Sequence, residues 1–265
     1  MRNVIAAALL AAFAGPALAE EWALERLEKS PRHHEWVAIE SGGRQVHTFV
    51  AYPEVEGKAT AVVVIHENRG LTDWVRGVAD QLAAAGYVAL APDLLSGTAP
   101  GGGRTDDFAS SDAAREAIYE LAPAQVLADL DAVVERARKL PASNGKVAVA
   151  GFCWGGGQTL RFATHRPDLA AGFVFYGTYE HTREELARVG APVYGFYGGE
   201  DARINATIPD TAAVMTELGK TFEPVTYEGA GHGFLRSGED PVGSEADREA
   251  REAAWERWKQ LLRKL

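Results

Sequence analysis

Lys146-Val147-Ala148-Val149-Ala150-Gly151-Phe152-Cys153-Trp154-Gly155-Gly156 is the stretch around which the rest of the chain is organised. Residues 146–150, small and β-branched, read as a strand buried on both faces. Gln158 to His165 reads as a helix. Between them, glycines flank one reactive side chain. A turn this sharp holds its tip residue in a strained backbone conformation, and neighbours without a Cβ let strand and helix close on each other. Cys153 is the only cysteine in the chain. A lone cysteine usually serves as a small buried hydrophobe. The glycine frame favours a nucleophile instead.

Working outward, apolar runs alternate with helical periods. Glu35–Glu40 and Gln45–Tyr52 flank Ser41-Gly42-Gly43 as an antiparallel hairpin. Thr60–Ile65 and Tyr87–Ala91 are continuous apolar runs typical of strands with no solvent face. Ala171–Tyr176, Pro192–Tyr197 and Phe222–Tyr227 continue the series. Helical periods fall at Trp74–Ala85, Ser110–Leu121, Ala124–Leu140, Thr182–Val189, Asp210–Leu218 and Glu245–Leu265. Residues 20–34 read as a polar lead-in and Ser96–Asp107 as a loop. Alternation of this kind predicts an α/β fold, a mostly parallel sheet with helices on both faces.

With 265 residues, 46% hydrophobic and 24% charged, the chain is sized for one α/β domain, expected over residues 20–265. A net charge of −10 argues against nucleic acid or an anionic membrane as partner. Arg2, the apolar run Val4–Ala14 and the small residues ending at Ala17-Leu18-Ala19 read as a signal peptide over residues 1–19. The run is too short for a permanent membrane anchor. The mature chain is therefore expected to begin at Glu20, without a membrane anchor, periplasmic or secreted, and monomeric. In an oxidising compartment a single thiol that cannot pair within its own chain is a hazard unless shielded or used.

Ligands of open α/β sheets gather at the carboxyl ends of the strands, and the chemistry-bearing residues follow strands. Cys153 follows one, Gly198-Gly199-Glu200-Asp201 another, and Gly231-His232-Gly233 a third. Nucleophile, acid, histidine is the order of the α/β-hydrolase triad, and Gly-Phe-Cys-Trp-Gly is the nucleophile elbow of that fold with Cys for Ser. His232 would move the thiol proton and Asp201 would fix the imidazole tautomer, with Glu200 the rival acid. His66-Glu67-Asn68-Arg69-Gly70 follows the strand whose loop supplies an oxyanion-hole amide in this fold. The backbone amides of Asn68 and Trp154 are the candidate pair. His33, His34 and His165 lack partners at metal-ligand spacing, so neither metal nor cofactor is expected.

Val64-Ile65-His66-Glu67-Asn68-Arg69-Gly70-Leu71, Ala91-Pro92-Asp93-Leu94-Leu95, the Cys elbow, Gly-Gly-Glu-Asp and Gly-His-Gly-Phe together resemble the dienelactone hydrolase family, the carboxymethylenebutenolidases. The resemblance covers nearly the whole mature chain. It implies Cys153, Asp201 and His232 as the triad, and a Glu67 that contacts the resting thiol and helps form the thiolate when substrate binds. It also implies two arginines for a substrate carboxylate. Arg236 lies four residues after His232, and Arg115 lies in an Arg-Glu-x-x-Tyr-x-Leu segment that includes Tyr119. Arginine's planar fork suits that task. The expected activity is hydrolysis of a small-molecule lactone or ester bearing a carboxylate, through an acyl-thioester. An exported esterase or thioesterase of broad specificity is the rival, and a binding module without turnover is the other.

Overall fold

Eight strands join one sheet in the order β1-β2-β4-β3-β5-β6-β7-β8. They are β1 (His34–Ser41), β2 (Arg44–Ala51), β3 (Ala59–Ile65), β4 (Val88–Pro92), β5 (Ser143–Phe152), β6 (Gly172–Phe175), β7 (Val193–Gly198) and β8 (Phe222–Tyr227). This computed structural model describes residues 20–265, so the signal peptide read at residues 1–19 lies outside the described residues. Strands β4, β3, β5, β6, β7 and β8 are parallel; β1 and β2 add an antiparallel edge. Gly42 and Gly43 close the β1–β2 hairpin, both with positive φ, as a two-residue turn with the right twist requires.

The helices are α1 (Glu21–Glu28), α2 (Asp73–Ala84), α3 (Ser111–Glu120), α4 (Pro123–Lys139), α5 (Trp154–His165), α6 (Arg183–Ala187), α7 (Ala202–Asn205), α8 (Ile208–Glu217), α9 (Phe234–Ser237) and α10 (Glu245–Leu262). They cover both faces, which is why β3 is buried at every position rather than at alternate ones. Val62 and Val64 face a core shared with Trp74, Val78 and Leu82 of α2 and Trp258 of α10. Ala61, Val63 and Ile65 face the opposite core, with Val126, Leu130 and Val133 of α4.

Residues 20–34 differ from the expected polar lead-in. Residues 21–28 form helix α1, which packs on α2 through the buried side chains of Ala23 and Leu27. Those two residues, one helical turn apart, are its only buried positions. The exposed charges between them hid the pattern. The loop at Ser96–Asp107 contains two short 3-10 turns, Pro100–Gly102 and Thr105–Asp107. Among the described residues, no helix is long and apolar enough to cross a membrane.

Because six strands run parallel, the segments that follow them emerge at one edge of the sheet. Residues 66–72 follow β3, Cys153 follows β5, Tyr176 follows β6, Gly199–Asp201 follow β7 and Glu228–Gly233 follow β8.

Candidate active site

Cys153 sits between β5 and α5 with φ 53° and ψ −114°, a conformation that L-residues seldom adopt and that is held only when its surroundings enforce it. Its N–H donates to the Phe175 carbonyl at 3.0 Å and its carbonyl accepts from Gly157 N–H at 3.2 Å. Glycine is required around it for contact reasons. A Cβ on Gly151 would lie 2.1 Å from the Gly155 carbonyl oxygen, and one on Gly155 would lie 2.4 Å from that of His66. Strand, helix and the segment after β3 thus meet at backbone distance.

That closeness sets the electrostatics of the sulfur. Burial, the largest influence, and next the Glu67 charge push the Cys153 thiol up to about 11. The nearby backbone amides of Trp154 and Asn68 favour the thiolate, as does the Arg203 charge. Burial and the Glu67 charge win, so the thiol is neutral near pH 7. The same two amides are those read from the sequence as oxyanion donors.

Asp201 caps α7 with one carboxylate oxygen, which accepts from Ile204 N–H at 3.4 Å. Its other oxygen accepts from His232 Nδ1–H at 2.5 Å, a charge-assisted bond that leaves Nε2 free for proton transfer. Glu200, the rival acid, is exposed, and its backbone N–H donates to Ala230 O. Asn205, on the next turn, donates to the carbonyls of Gly198 and Gly199 and so fixes the turn that carries Asp201.

Glu67 is buried, and its hydrogen bond goes to Arg236, whose Nε donates to Oε2 at 2.9 Å. No hydrogen bond joins Glu67 to the Cys153 sulfur in this structure; the carboxylate acts on the thiol through its charge. Arg236 stands on α9, four residues after His232, and its Nε is also 4.0 Å from Glu20 Oε1. Tyr119 is exposed, and its hydroxyl accepts from Asn68 Nδ2 at 3.2 Å, beside the segment that follows β3. Arg115, one turn earlier on α3, is half exposed and pairs with Asp112 of its own helix at 3.3 Å. No ion pair or hydrogen bond brings it to Arg236 or Glu67.

His66 is wholly buried and has a structural task. Its Nδ1–H donates to Glu67 O at 2.7 Å and its Nε2 accepts from Leu94 N–H at 3.3 Å, so one neutral tautomer satisfies both. Burial, the largest influence, lowers its pKa and keeps it neutral. Its ring stacks on Trp154 at 5.5 Å, tying the segment after β3 to α5.

Three residues near the site escaped sequence reasoning. Tyr176 has φ 40°, lies under His232 with ring centroids 5.2 Å apart, and has a buried hydroxyl without a hydrogen-bond partner. Burial and then the Glu67 charge hold that hydroxyl well above its usual pKa. Its place directly after β6 was the available signal. Arg203 follows Asp201 by two residues. Glu20 comes from the segment read as a lead-in. Beside Arg236 lies a cavity of about 750 Å³, whose lining includes Glu20, Arg69, Thr105, Phe108 and Asp240. Among the described residues, no group of three or more His, Cys, Asp or Glu is placed to hold a metal ion.

The strand order, the elbow after β5, and the acid and histidine after β7 and β8 define an α/β-hydrolase. A sequence profile of the dienelactone hydrolase family matches residues 46–265, and the chain belongs to that family. It is 30% identical to a provisionally named carboxymethylenebutenolidase of Saccharolobus solfataricus, over 86% of this chain and 98% of that one. Against a provisionally named carboxymethylenebutenolidase of Methylorubrum extorquens the identity is 32%, over 71% of this chain and 68% of the other. The crystal structure of a provisionally assigned dienelactone hydrolase from Klebsiella pneumoniae superposes with a TM-score of 0.76 at 27% identity. It covers 88% of this chain and 99% of its own. The chain is thus a lactone or ester hydrolase of dienelactone hydrolase type.

Proposed function

We propose that this hydrolase works through Cys153, His232 and Asp201 and an acyl-thioester intermediate, on esters or lactones that carry a carboxylate. In the resting site Glu67 is bound to Arg236 and the thiol is neutral. A substrate carboxylate that engages Arg236 leaves Glu67 without its partner. A carboxylate so exposed in a buried setting gains a proton readily. The Cys153 thiol gives its proton to Glu67, and the thiolate attacks the carbonyl carbon.

The tetrahedral oxyanion would lie against the Asn68 and Trp154 amides. It collapses with cleavage of the carbon–oxygen bond, and the leaving oxygen takes the proton that Glu67 received from the thiol. In a lactone that oxygen stays tethered to the acyl group. A water then gives its proton to His232 Nε2 and attacks the thioester carbonyl; the carbon–sulfur bond breaks, the acid departs, and His232 returns the proton to the Cys153 sulfur. Asp201, bonded to Nδ1, stabilises the imidazolium each time it forms.

The observation that carries this reading is Cys153 in a strained conformation at the elbow, with the backbone amides of Trp154 and Asn68 near enough to favour its thiolate. Cys153→Ala should abolish hydrolysis of every ester the parent accepts, in a panel of lactones and aryl esters with and without a carboxylate. Activity within a few-fold of the parent would end the assignment. Export belongs to the same proposal, supported by Arg2, the apolar run and Ala17-Leu18-Ala19. Sequencing the amino terminus of the protein recovered from a periplasmic extract should read from Glu20.

A further inference from the structure

Arg236 serves two carboxylates. Glu67 Oε2 accepts its Nε–H at 2.9 Å, whereas Glu20 Oε1 stands 4.0 Å from the same nitrogen, an ion pair without a hydrogen bond. Both acids are largely buried, with side chains 13% and 10% exposed for Glu20 and Glu67. Glu20 is held in place independently of the arginine, because its Oε2 accepts Trp74 N–H at 3.1 Å at the start of α2. Burial, the largest influence, raises its pKa above the usual carboxylate range. Such a group benefits from a neighbouring cation.

The two acids also differ in what they face. Glu20 and Arg236 both line the cavity of about 750 Å³, and Glu67 is not among its lining residues. A ligand carboxylate arriving through that cavity meets Arg236 from the side that Glu20 occupies. The cavity wall also carries Glu21, Asp73, Asp106 and Asp240, and Arg69 is its other cation. Moreover, Glu20 precedes the residues matched to the family, 46–265, so this contact is contributed by the amino-terminal segment.

We propose that Glu20 is a specificity-determining residue, a resident carboxylate that occupies the cavity-facing side of Arg236, so that an anionic substrate binds only by displacing it. The inference rests on the reading of Arg236 as the partner of a substrate carboxylate. Neutral esters, which make no use of Arg236, are indifferent to Glu20.

The test compares two p-nitrophenyl esters of equal chain length, one a dicarboxylic acid monoester that ends in a carboxylate, the other an uncharged alkanoate. Glu20→Gln keeps the shape and the acceptor for Trp74 N–H but removes the charge. It should lower KM for the anionic ester roughly three- to tenfold, the range expected for removing a partly buried like charge. The kcat for both esters and KM for the neutral one should stay within about twofold. Glu20→Ala, which removes the acceptor too, should lower the same KM. An unchanged KM for the anionic ester in both variants, or equal shifts for both esters, would overturn the inference. Arg236→Ala separates the two layers. If it raises KM for the anionic ester while the Glu20 variants do nothing, only the role of Glu20 fails. If it leaves that KM unchanged, the reading of Arg236 fails with it.

Discussion

Arg236 Nε donates to Glu67 Oε2 at 2.9 Å, and the charge of Glu67 in turn acts on the Cys153 thiol. Glu67 has two opposed effects in this arrangement. At rest its charge is the second-largest influence holding the thiol protonated, after burial. In the proposed cycle it receives the thiol proton. Glu67→Gln therefore speeds alkylation of free Cys153 by iodoacetamide at pH 8, while lowering kcat for carboxylate-bearing esters about a hundredfold or more, the usual worth of a positioned base. Steady-state kinetics and labelling rates on the same preparation check both. Rates that rise together would remove Glu67 from the proton path.

The raised thiol pKa predicts a pH dependence with a definite sign. In the ligand-free protein, the alkylation rate climbs as pH rises and reaches its midpoint near 11, against about 8.5 for an ordinary thiol. The folded state holds this proton more tightly than the unfolded chain does. The stability it contributes is thus full below the ordinary thiol value of about 8.5 and is lost as pH rises through about 11. Denaturant titrations of the parent and of Cys153→Ala should diverge only in that alkaline window. A labelling midpoint near 7 would show a thiolate already formed at rest.

Gly155→Ala tests the contact between α5 and the segment after β3. The added Cβ would lie 2.4 Å from His66 O and 2.5 Å from Ile65 O, both backbone atoms that cannot rotate away. The segment carrying Glu67 and Asn68 must shift. We expect a loss of kcat of about a hundredfold, the size of one displaced oxyanion donor, together with a lowered melting temperature. Circular dichroism and ester kinetics would report both, and unchanged kcat would contradict the close packing.

Much of this site is legible in the chain because its logic is local. The elbow needs glycines at fixed offsets from Cys153. Asp201 follows an apolar run that reads as a buried strand, and His232 follows the edge strand Phe222–Tyr227. The hairpin at Gly42-Gly43 is readable for the same reason. What cannot be read this way depends on partners distant in sequence. Helix α1 has two buried anchors, Ala23 and Leu27, among exposed charges, so its docking on α2 leaves little periodicity. Tyr176 adopts positive φ without being glycine or asparagine, and only the packing of His232 over it marks the position. Arg115 and Arg236 look alike as sequence; one is turned to Asp112 on an exposed helix, the other is pinned by Glu67. The Glu67–Arg236 bond spans 169 residues of chain, a separation at which residue spacing carries no signal.

In the proposed cycle the acyl group passes through the Cys153 sulfur. Rapid acid quenching of the enzyme during turnover of a slow aryl ester, followed by intact-protein and peptide mass spectrometry, tests it directly. A mass increase equal to the acyl group is expected, located on the peptide that contains Cys153, absent from Cys153→Ala and released by neutral hydroxylamine. An acyl group found on another residue, or turnover with no adduct on Cys153 even where product release shows a burst, would contradict it.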